Sequence, residues 1–180
     1  MITLPSSLFI EPIQHPLNAS VRVPGSKSLT NRALLIASLA NGTTRLTNAL
    51  FSDDSRYFAN ALKTLGFDVQ LNEDHHEMTV AGLGGRIPAQ KAELFIGNAG
   101  TAARFLSAFL TLGNGEYILD GEPRMRERPI GDLVEALTQL GCVVQPVAKN
   151  GASAPICPPV RIIANGLPGG RTSIAGNISS

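Results

Sequence analysis

The sequence is poor in the residues that mark several classes of protein. Its 180 residues include no tryptophan, two cysteines and three histidines, and 16% of them are charged. Cys142 and Cys157 do not have the spacing of a metal or redox motif, so we interpret both as unpaired thiols of a reducing, cytoplasmic compartment. No pair of histidines has metal-ligand spacing, and the sequence therefore predicts no metal site.

The chain also lacks the charge and the long apolar runs of nucleic-acid and membrane proteins. Its formal net charge of +1 predicts neither a nucleic-acid footprint nor a polybasic membrane patch. No apolar run reaches the ~20 residues that span a bilayer, and the N-terminus has no basic segment typical of a signal peptide. With 43% hydrophobic residues, the chain nevertheless has enough apolar content to form a core.

The sequence does contain an internal repeat. Segments 62–70 and 137–145 share one pattern, in which a helix with apolar residues at i, i+3, i+4 and i+7 ends at a glycine and a short strand follows. The two glycines, Gly66 and Gly141, suit the left-handed conformation that commonly ends a helix. These two segments are therefore predicted to be equivalent parts of two structural units.

Each copy extends further towards the N-terminus. It is predicted to open with a strand, a glycine loop and a helix, over residues 19–23, 24–28 and 29–40 in the first copy and 93–96, 97–101 and 102–112 in the second. Both copies then read βαβαββ, over residues 19–84 and 91–166, and a third copy begins near residue 171. We therefore expect an α/β chain that is an incomplete domain. A natural C-terminus with a frayed tail is the alternative.

The glycine loops are candidate anion sites. A helix N-terminus offers unpaired N–H groups and about half a positive charge, and glycine lets a ligand approach the backbone. In the first loop, Lys27 and Ser28 lie at the helix start, and Arg32 shares a helix face with Ser28. Their ammonium, hydroxyl and guanidinium groups suit phosphate or carboxylate. The residue order of a nucleotide-binding P-loop is absent, and a solvated helix start with ordinary surface cations is the alternative.

The second loop repeats this spacing with Gly100 and Arg104. Arg104 lies in an otherwise apolar helix, where a cation needs a partner. That partner is either an anionic ligand or a structural ion pair with a carboxylate such as Asp53 or Asp54.

A cluster of three arginines precedes a later helix. If the chain is extended there, alternation places Arg124, Arg126 and Arg128 on one side, and together they form an anion clamp. Pro129 suits the first turn of the helix that follows. The alternative is a solvated basic loop.

These segments resemble signatures of the 5-enolpyruvylshikimate-3-phosphate (EPSP) synthase family. Residues 24–33 resemble its first signature, residues 94–104 its second and residues 121–130 its third. Ser179 and Ser180 resemble the start of a Ser-Ser-Gln signature. The UDP-N-acetylglucosamine enolpyruvyl transferases share the fold but open with a Gly-Ala-Lys-Asn-like loop, so they are the second candidate.

The resemblance implies a two-domain enzyme in which each domain is an inverse α/β barrel of three βαβαββ units. Residues 1–18 then belong with the second domain, and residues 19–180 form an incomplete first domain. By position, the family's ligands for shikimate 3-phosphate fall on Lys27, Ser28, Arg32, Ser179 and Ser180. Its ligands for phosphoenolpyruvate fall on Lys27, Gly100 and Arg128, and Lys27 is also the expected catalytic residue.

The implied reaction is a step of chorismate and aromatic amino acid biosynthesis. It transfers the enolpyruvyl group of phosphoenolpyruvate to the 5-hydroxyl of shikimate 3-phosphate, releases phosphate and needs no cofactor. The family's acid/base carboxylates lie in the second domain, so the chain alone is expected to be inactive and to need a complementary C-terminal fragment or chain. Phe105 stands where many bacterial members carry proline, which leaves glyphosate sensitivity open. A non-catalytic anion-binding or assembly module is the alternative from another class.

Overall fold

Helices and strands alternate along residues 6–147 and 155–174, the part of the chain that the computed structural model describes. The first half contains helices α1 and α2 and strands β1 to β3: α1 (Lys27–Leu39), β1 (Asn41–Leu46), α2 (Asp53–Thr64), β2 (Val69–Asn72) and β3 (Glu77–Leu83). The second half continues with β4 (Lys91–Phe95), α3 (Gly100–Leu110), β5 (Asn114–Asp120), a short 3-10 helix (Met125–Glu127), α4 (Gly131–Gln139), β6 (Val143–Pro146) and β7 (Val160–Asn165). No helix in these ranges is both long and apolar enough to cross a membrane.

Local signals in the sequence explain where the helices begin and end. The Ser26 side chain caps α1 by accepting a hydrogen bond from the Leu29 N–H, and Ser52 and Ser55 form a reciprocal capping box at the start of α2. Gly66 and Gly141, at φ +92° and +85°, follow α2 and α4 in the left-handed conformation. The helix-ending glycines predicted from the sequence are therefore confirmed.

The strands form two sheets that repeat one arrangement. The first sheet has the order β1-β3-β2 and the second has the order β4-β5-β7-β6. In both, a hairpin (β2–β3 or β6–β7) pairs antiparallel with the strand that follows the unit's first helix. The second sheet adds β4, which pairs parallel with β5. Among the described residues, the first sheet has no strand in the place that corresponds to β4.

The prediction of a strand over residues 19–23 is wrong. This segment has no regular structure, and Val21 and Val23 are 81% and 69% exposed. A strand exists only where its N–H and C=O groups pair with a neighbouring strand, and β1 pairs only with β3 in the described part of the chain. Side chains in 19–23 alternate as they do in a β-strand, but this alternation does not show whether a neighbouring strand is available to pair with the segment.

One hydrophobic core joins the two units. Leu34 of α1, Phe58 and Leu62 of α2 and Leu106 of α3 are fully buried in it. Gly82 in β3 lets α1 lie close to the first sheet, since a Cβ at this position would fall well inside contact with the carbonyl oxygens of residues 37 and 40. The core therefore fixes the helix starts relative to one another.

The two units also connect to the following chain in the same way. Pro88 lies against Gly66, and Pro168 lies against Gly141, with an ideal Cβ on each glycine 2.9 and 3.3 Å from the proline ring. After the second connection, the Thr172 hydroxyl donates to the Ala136 carbonyl at 3.0 Å. Residues 171–174 thus lie beside α4, as residues 88–90 lie beside the end of α2.

Candidate functional site

The first glycine loop places a lysine in the first turn of α1. Because Ser26 caps the helix, α1 begins at Lys27, two residues before the predicted start, and Lys27 and Ser28 are helical rather than part of the loop. Both side chains are exposed, as is Arg32 one turn later. The Lys27 ammonium forms an ion pair with the Asp54 carboxylate at 3.2 Å. The backbone N–H groups and cations here suit an anion.

The second glycine loop holds Arg128 over the start of α3. Gly100 is the buried first residue of α3, and the Arg128 guanidinium lies so close that a Cβ on Gly100 would overlap it. Nη1 of Arg128 donates to the Asn98 carbonyl at 3.0 Å. The described part of the chain offers Arg128 no carboxylate partner. A guanidinium at a helix N-terminus without an acidic partner is an arrangement that attracts an anion.

Arg104, a residue of α3, stabilises this loop through hydrogen bonds to backbone carbonyls. Its guanidinium donates to the Gly100 carbonyl at 3.2 Å and to the Pro129 carbonyl at 3.4 Å, so it links α3 to the residue that follows Arg128. Burial, with a smaller contribution from the charge of Arg128, lowers the pKa of Arg104. The ion pair with Asp53 or Asp54 that the sequence left open is therefore wrong, because Arg104 uses backbone carbonyls and Asp54 binds Lys27 instead.

The arginine cluster does not form a one-sided clamp. Residues 125–127 form a 3-10 helix and Arg124 is helical at φ −66°, so the alternation of an extended chain does not apply. Arg126 binds Asp120 through two hydrogen bonds, of 3.0 and 2.6 Å, which raise its pKa. Only Arg128 of the three turns to the glycine loop. The predicted grouping of Arg124, Arg126 and Arg128 on one side is thus wrong.

The first two turns of α2 contact both glycine loops. Asp54 binds Lys27 beside the first loop, and the Tyr57 ring, one turn later, packs directly on Gly97 of the second loop. Gly97 has φ +54°, and a Cβ there would overlap the ring. This role of α2 was not predicted from the sequence. The only signal for it was Ser52 followed by two aspartates, which marks a helix start and does not identify its neighbours.

The predicted site residues thus fall into three groups. Lys27, Ser28 and Arg32 line the start of α1, whereas Gly100 and Arg128 are in contact at the start of α3. Ser179 and Ser180 lie outside the described residues.

Comparison with known proteins assigns this architecture to a class. EPSP synthase from Acinetobacter baumannii superposes with a TM-score of 0.72 at 27% identity, over 81% of this chain and 32% of that one. The enolpyruvyl transferase NikO from Streptomyces tendae matches in fold alone, with a TM-score of 0.51 at 18% identity, over 86% of this chain and 32% of that one. The fold is therefore that of the enolpyruvyl transferases, and the predicted fold class is confirmed.

The family follows from the sequence comparisons. The chain belongs to the EPSP synthase (3-phosphoshikimate 1-carboxyvinyltransferase) family, whose sequence model matches residues 12–180. A 3-phosphoshikimate 1-carboxyvinyltransferase from a Sulfurovum species is 53% identical over 176 residues. That match covers 97% of this chain and 40% of the relative, so the chain spans about two fifths of the length of the relatives it matches. The resemblance drawn from the three signatures is confirmed.

Proposed function

We propose that this chain supplies anion-binding elements of an EPSP synthase. In the reaction, the 5-hydroxyl of shikimate 3-phosphate gives its proton to a base as its oxygen bonds to C2 of phosphoenolpyruvate, and C3 takes up a proton from an acid. Inorganic phosphate then leaves C2 of the tetrahedral intermediate as C3 loses a proton, which restores the double bond. Both substrates are anions, and this chain contributes the cations and helix N-termini that bind and orient them.

The observation that carries the proposal is the Arg128–Gly100 contact. A guanidinium that is held by one carbonyl, with no acidic partner in the described ranges, retains donors for a carboxylate or phosphate. The N–H groups at the start of α3 point to the same place, because a helix leaves its first N–H groups unpaired. We assign this pair, together with Lys27, to phosphoenolpyruvate.

We assign the other anion, shikimate 3-phosphate, to the start of α1. Lys27, Ser28 and Arg32 provide an ammonium, a hydroxyl and a guanidinium within two turns of one helix, and all three are exposed. The first two turns of α2 contact both sites, through the Asp54–Lys27 ion pair and through the Tyr57 ring on Gly97, so Lys27 and the second loop are held by the same helix. This position supports a role for Lys27 at both substrates and in catalysis. Ser179 and Ser180 complete the proposed ligand set.

A titration of the chain with each substrate, followed by backbone amide NMR, tests the assignment. Phosphoenolpyruvate is expected to shift the amides around Gly100 and Arg128, and shikimate 3-phosphate those around Ser28. Arg128→Ala should abolish the first set of shifts. Arg126→Ala is the matched control and should preserve them, because Arg126 is engaged by Asp120. Equal binding of phosphoenolpyruvate by wild type and Arg128→Ala would contradict the assignment.

A further inference from the structure

The start of α1 is an unfavourable place for the positive charge of Lys27. Lys27 is the first residue of α1, where the helix dipole is positive, and the first turn of α1 contains no acidic residue. If the helix dipole were the only influence, the flexible lysine side chain would turn away from the start of α1 and into solvent.

Asp54 opposes this tendency from a fixed position. It lies in the first turn of α2, where a carboxylate is favoured by the helix dipole and where Ser52 and Ser55 form the capping box. The Asp54 side chain is 21% exposed, whereas that of Lys27 is 51% exposed. The ion pair of 3.2 Å therefore joins a well-held carboxylate to a mobile ammonium.

We propose that Asp54 is a positioning residue that keeps the Lys27 ammonium beside α2, the helix that contacts both glycine loops, so that anion binding depends on it. The inference rests on the function proposed for Lys27. Tyr57, one turn along the same helix, packs on Gly97, so the element that carries Asp54 is also fixed to the second loop. Asp54 thus holds Lys27 on the side of α1 that faces α2.

Positioning by Asp54 and simple charge repulsion predict opposite effects on anion affinity when the carboxylate is removed. A carboxylate beside an anion site repels the ligand, so its removal alone would tighten anion binding. Both charges are partly exposed, however, and water and salt screen that repulsion. Loss of the partner instead frees a side chain with four rotatable bonds, and binding must then restrict it again. We expect the positioning effect to be the larger one.

A double-mutant cycle on the chain tests the proposal, with phosphoenolpyruvate as the probe and amide NMR to measure its dissociation constant. Asp54→Asn is expected to raise that constant about three- to fivefold, the upper part of the range of one partly exposed ion pair. Asp53→Asn is the matched control, because it removes the same charge from the same helix turn but from an exposed side chain. It should change the constant less than about twofold. Both variants lose the same interaction with the helix dipole, and Asp54→Asn also loses its ion pair, so thermal melts should differ by no more than the roughly 0–1 kcal/mol of that pair.

The coupling to Lys27 decides the outcome. In a Lys27→Met background, Asp54→Asn should cause no further loss of binding, since no ammonium is left to position. Asp54→Glu, which keeps the carboxylate, should recover part of the affinity. Binding by Asp54→Asn that equals or exceeds wild type would overturn the proposal, as would an equal loss with and without Lys27. If Lys27→Met itself binds as tightly as wild type, the function assigned to Lys27 fails and the inference fails with it.

Discussion

A lysine or arginine can act on a ligand only when its charge is not already satisfied by the protein. Arg126 gives both of its hydrogen bonds to Asp120, whereas the neighbouring Arg128 has a single carbonyl partner and faces Gly100. Sequence position does not show which of Arg126 and Arg128 is available to a ligand, because they lie two residues apart in the same basic segment. The difference arises from the turn at residues 125–127, which sends the two side chains in different directions.

A first prediction concerns kcat/KM of two variants, Lys27→Ala and Arg126→Ala, in an enzyme reconstituted from this chain and the C-terminal remainder of the Sulfurovum relative. A contact with a desolvated anion contributes several kcal/mol, so we expect Lys27→Ala to lower kcat/KM on the order of a hundredfold or more. An exposed, paired cation contributes about 0–1 kcal/mol, so Arg126→Ala should have little effect. Steady-state kinetics measure both, with thermal melts to exclude unfolding. Similar losses for the two variants would show that the ligand-facing cations have been misassigned.

Gly100→Ala gives a second prediction. The added methyl group collides with the end of the flexible Arg128 side chain, which can move aside at small cost in stability. The guanidinium is displaced from the helix start, and we expect KM for phosphoenolpyruvate to rise about tenfold, the equivalent of ~1.4 kcal/mol. Gly131→Ala is the control, because Gly131 is also the first residue of a helix and has room for a Cβ. An unchanged KM for Gly100→Ala would argue against a role for Arg128 in binding.

Part of the site was predictable residue by residue and part was not. The glycine loops and their cations follow local rules of helix starts and anion chemistry, so Lys27, Ser28 and Gly100 could be selected from the sequence. The roles of Asp54 and Tyr57 could not, because both depend on contacts with residues far away in the chain. Arg104 was recognised as a cation in an apolar helix that needs a partner, but its partners are carbonyl groups, which no sequence pattern reveals.

At the scale of helices and strands, the close packing of α1 on the first sheet leads to a third prediction. In Gly82→Ala the methyl group meets two backbone carbonyl oxygens, which cannot move without shifting α1. We expect a loss of about 1–3 kcal/mol in the free energy of unfolding, the usual range for overpacking. Gly131→Ala should leave it unchanged or raise it slightly, because alanine is the better helix former. Chemical denaturation of both variants checks this, and equal stabilities would refute the packing argument.

Helices and hairpins with a local sequence signal were predicted well from the sequence. Periodicity and helix-ending glycines predicted the four helices of the described ranges and both hairpins to within a few residues. The strand over residues 19–23 and the extended arginine segment failed for one shared reason. Each depends on what the chain packs against, and alternation of side chains along a short segment does not determine that.

At the scale of the whole molecule, the chain matches about 40% of the length of the Sulfurovum relative and carries two similar units joined by one core. The acid and base groups that the family resemblance assigns to a second domain fall outside the signatures found here. We therefore expect the chain alone to bind anions without turnover, since proton transfer at C3 and at the 5-hydroxyl needs positioned acid and base groups. Phosphate release by the pure chain from the two substrates together would contradict this expectation.

Phosphate release from shikimate 3-phosphate and phosphoenolpyruvate, after this chain is mixed with the C-terminal remainder of the Sulfurovum relative, is the most direct test of these assignments. Turnover is expected only in the mixture, lost when the chain carries Lys27→Ala and retained when it carries Arg126→Ala. A mixture that associates but releases no phosphate, or one that is equally active with Lys27→Ala, would contradict the claim that these two glycine loops bind the reacting anions of an EPSP synthase.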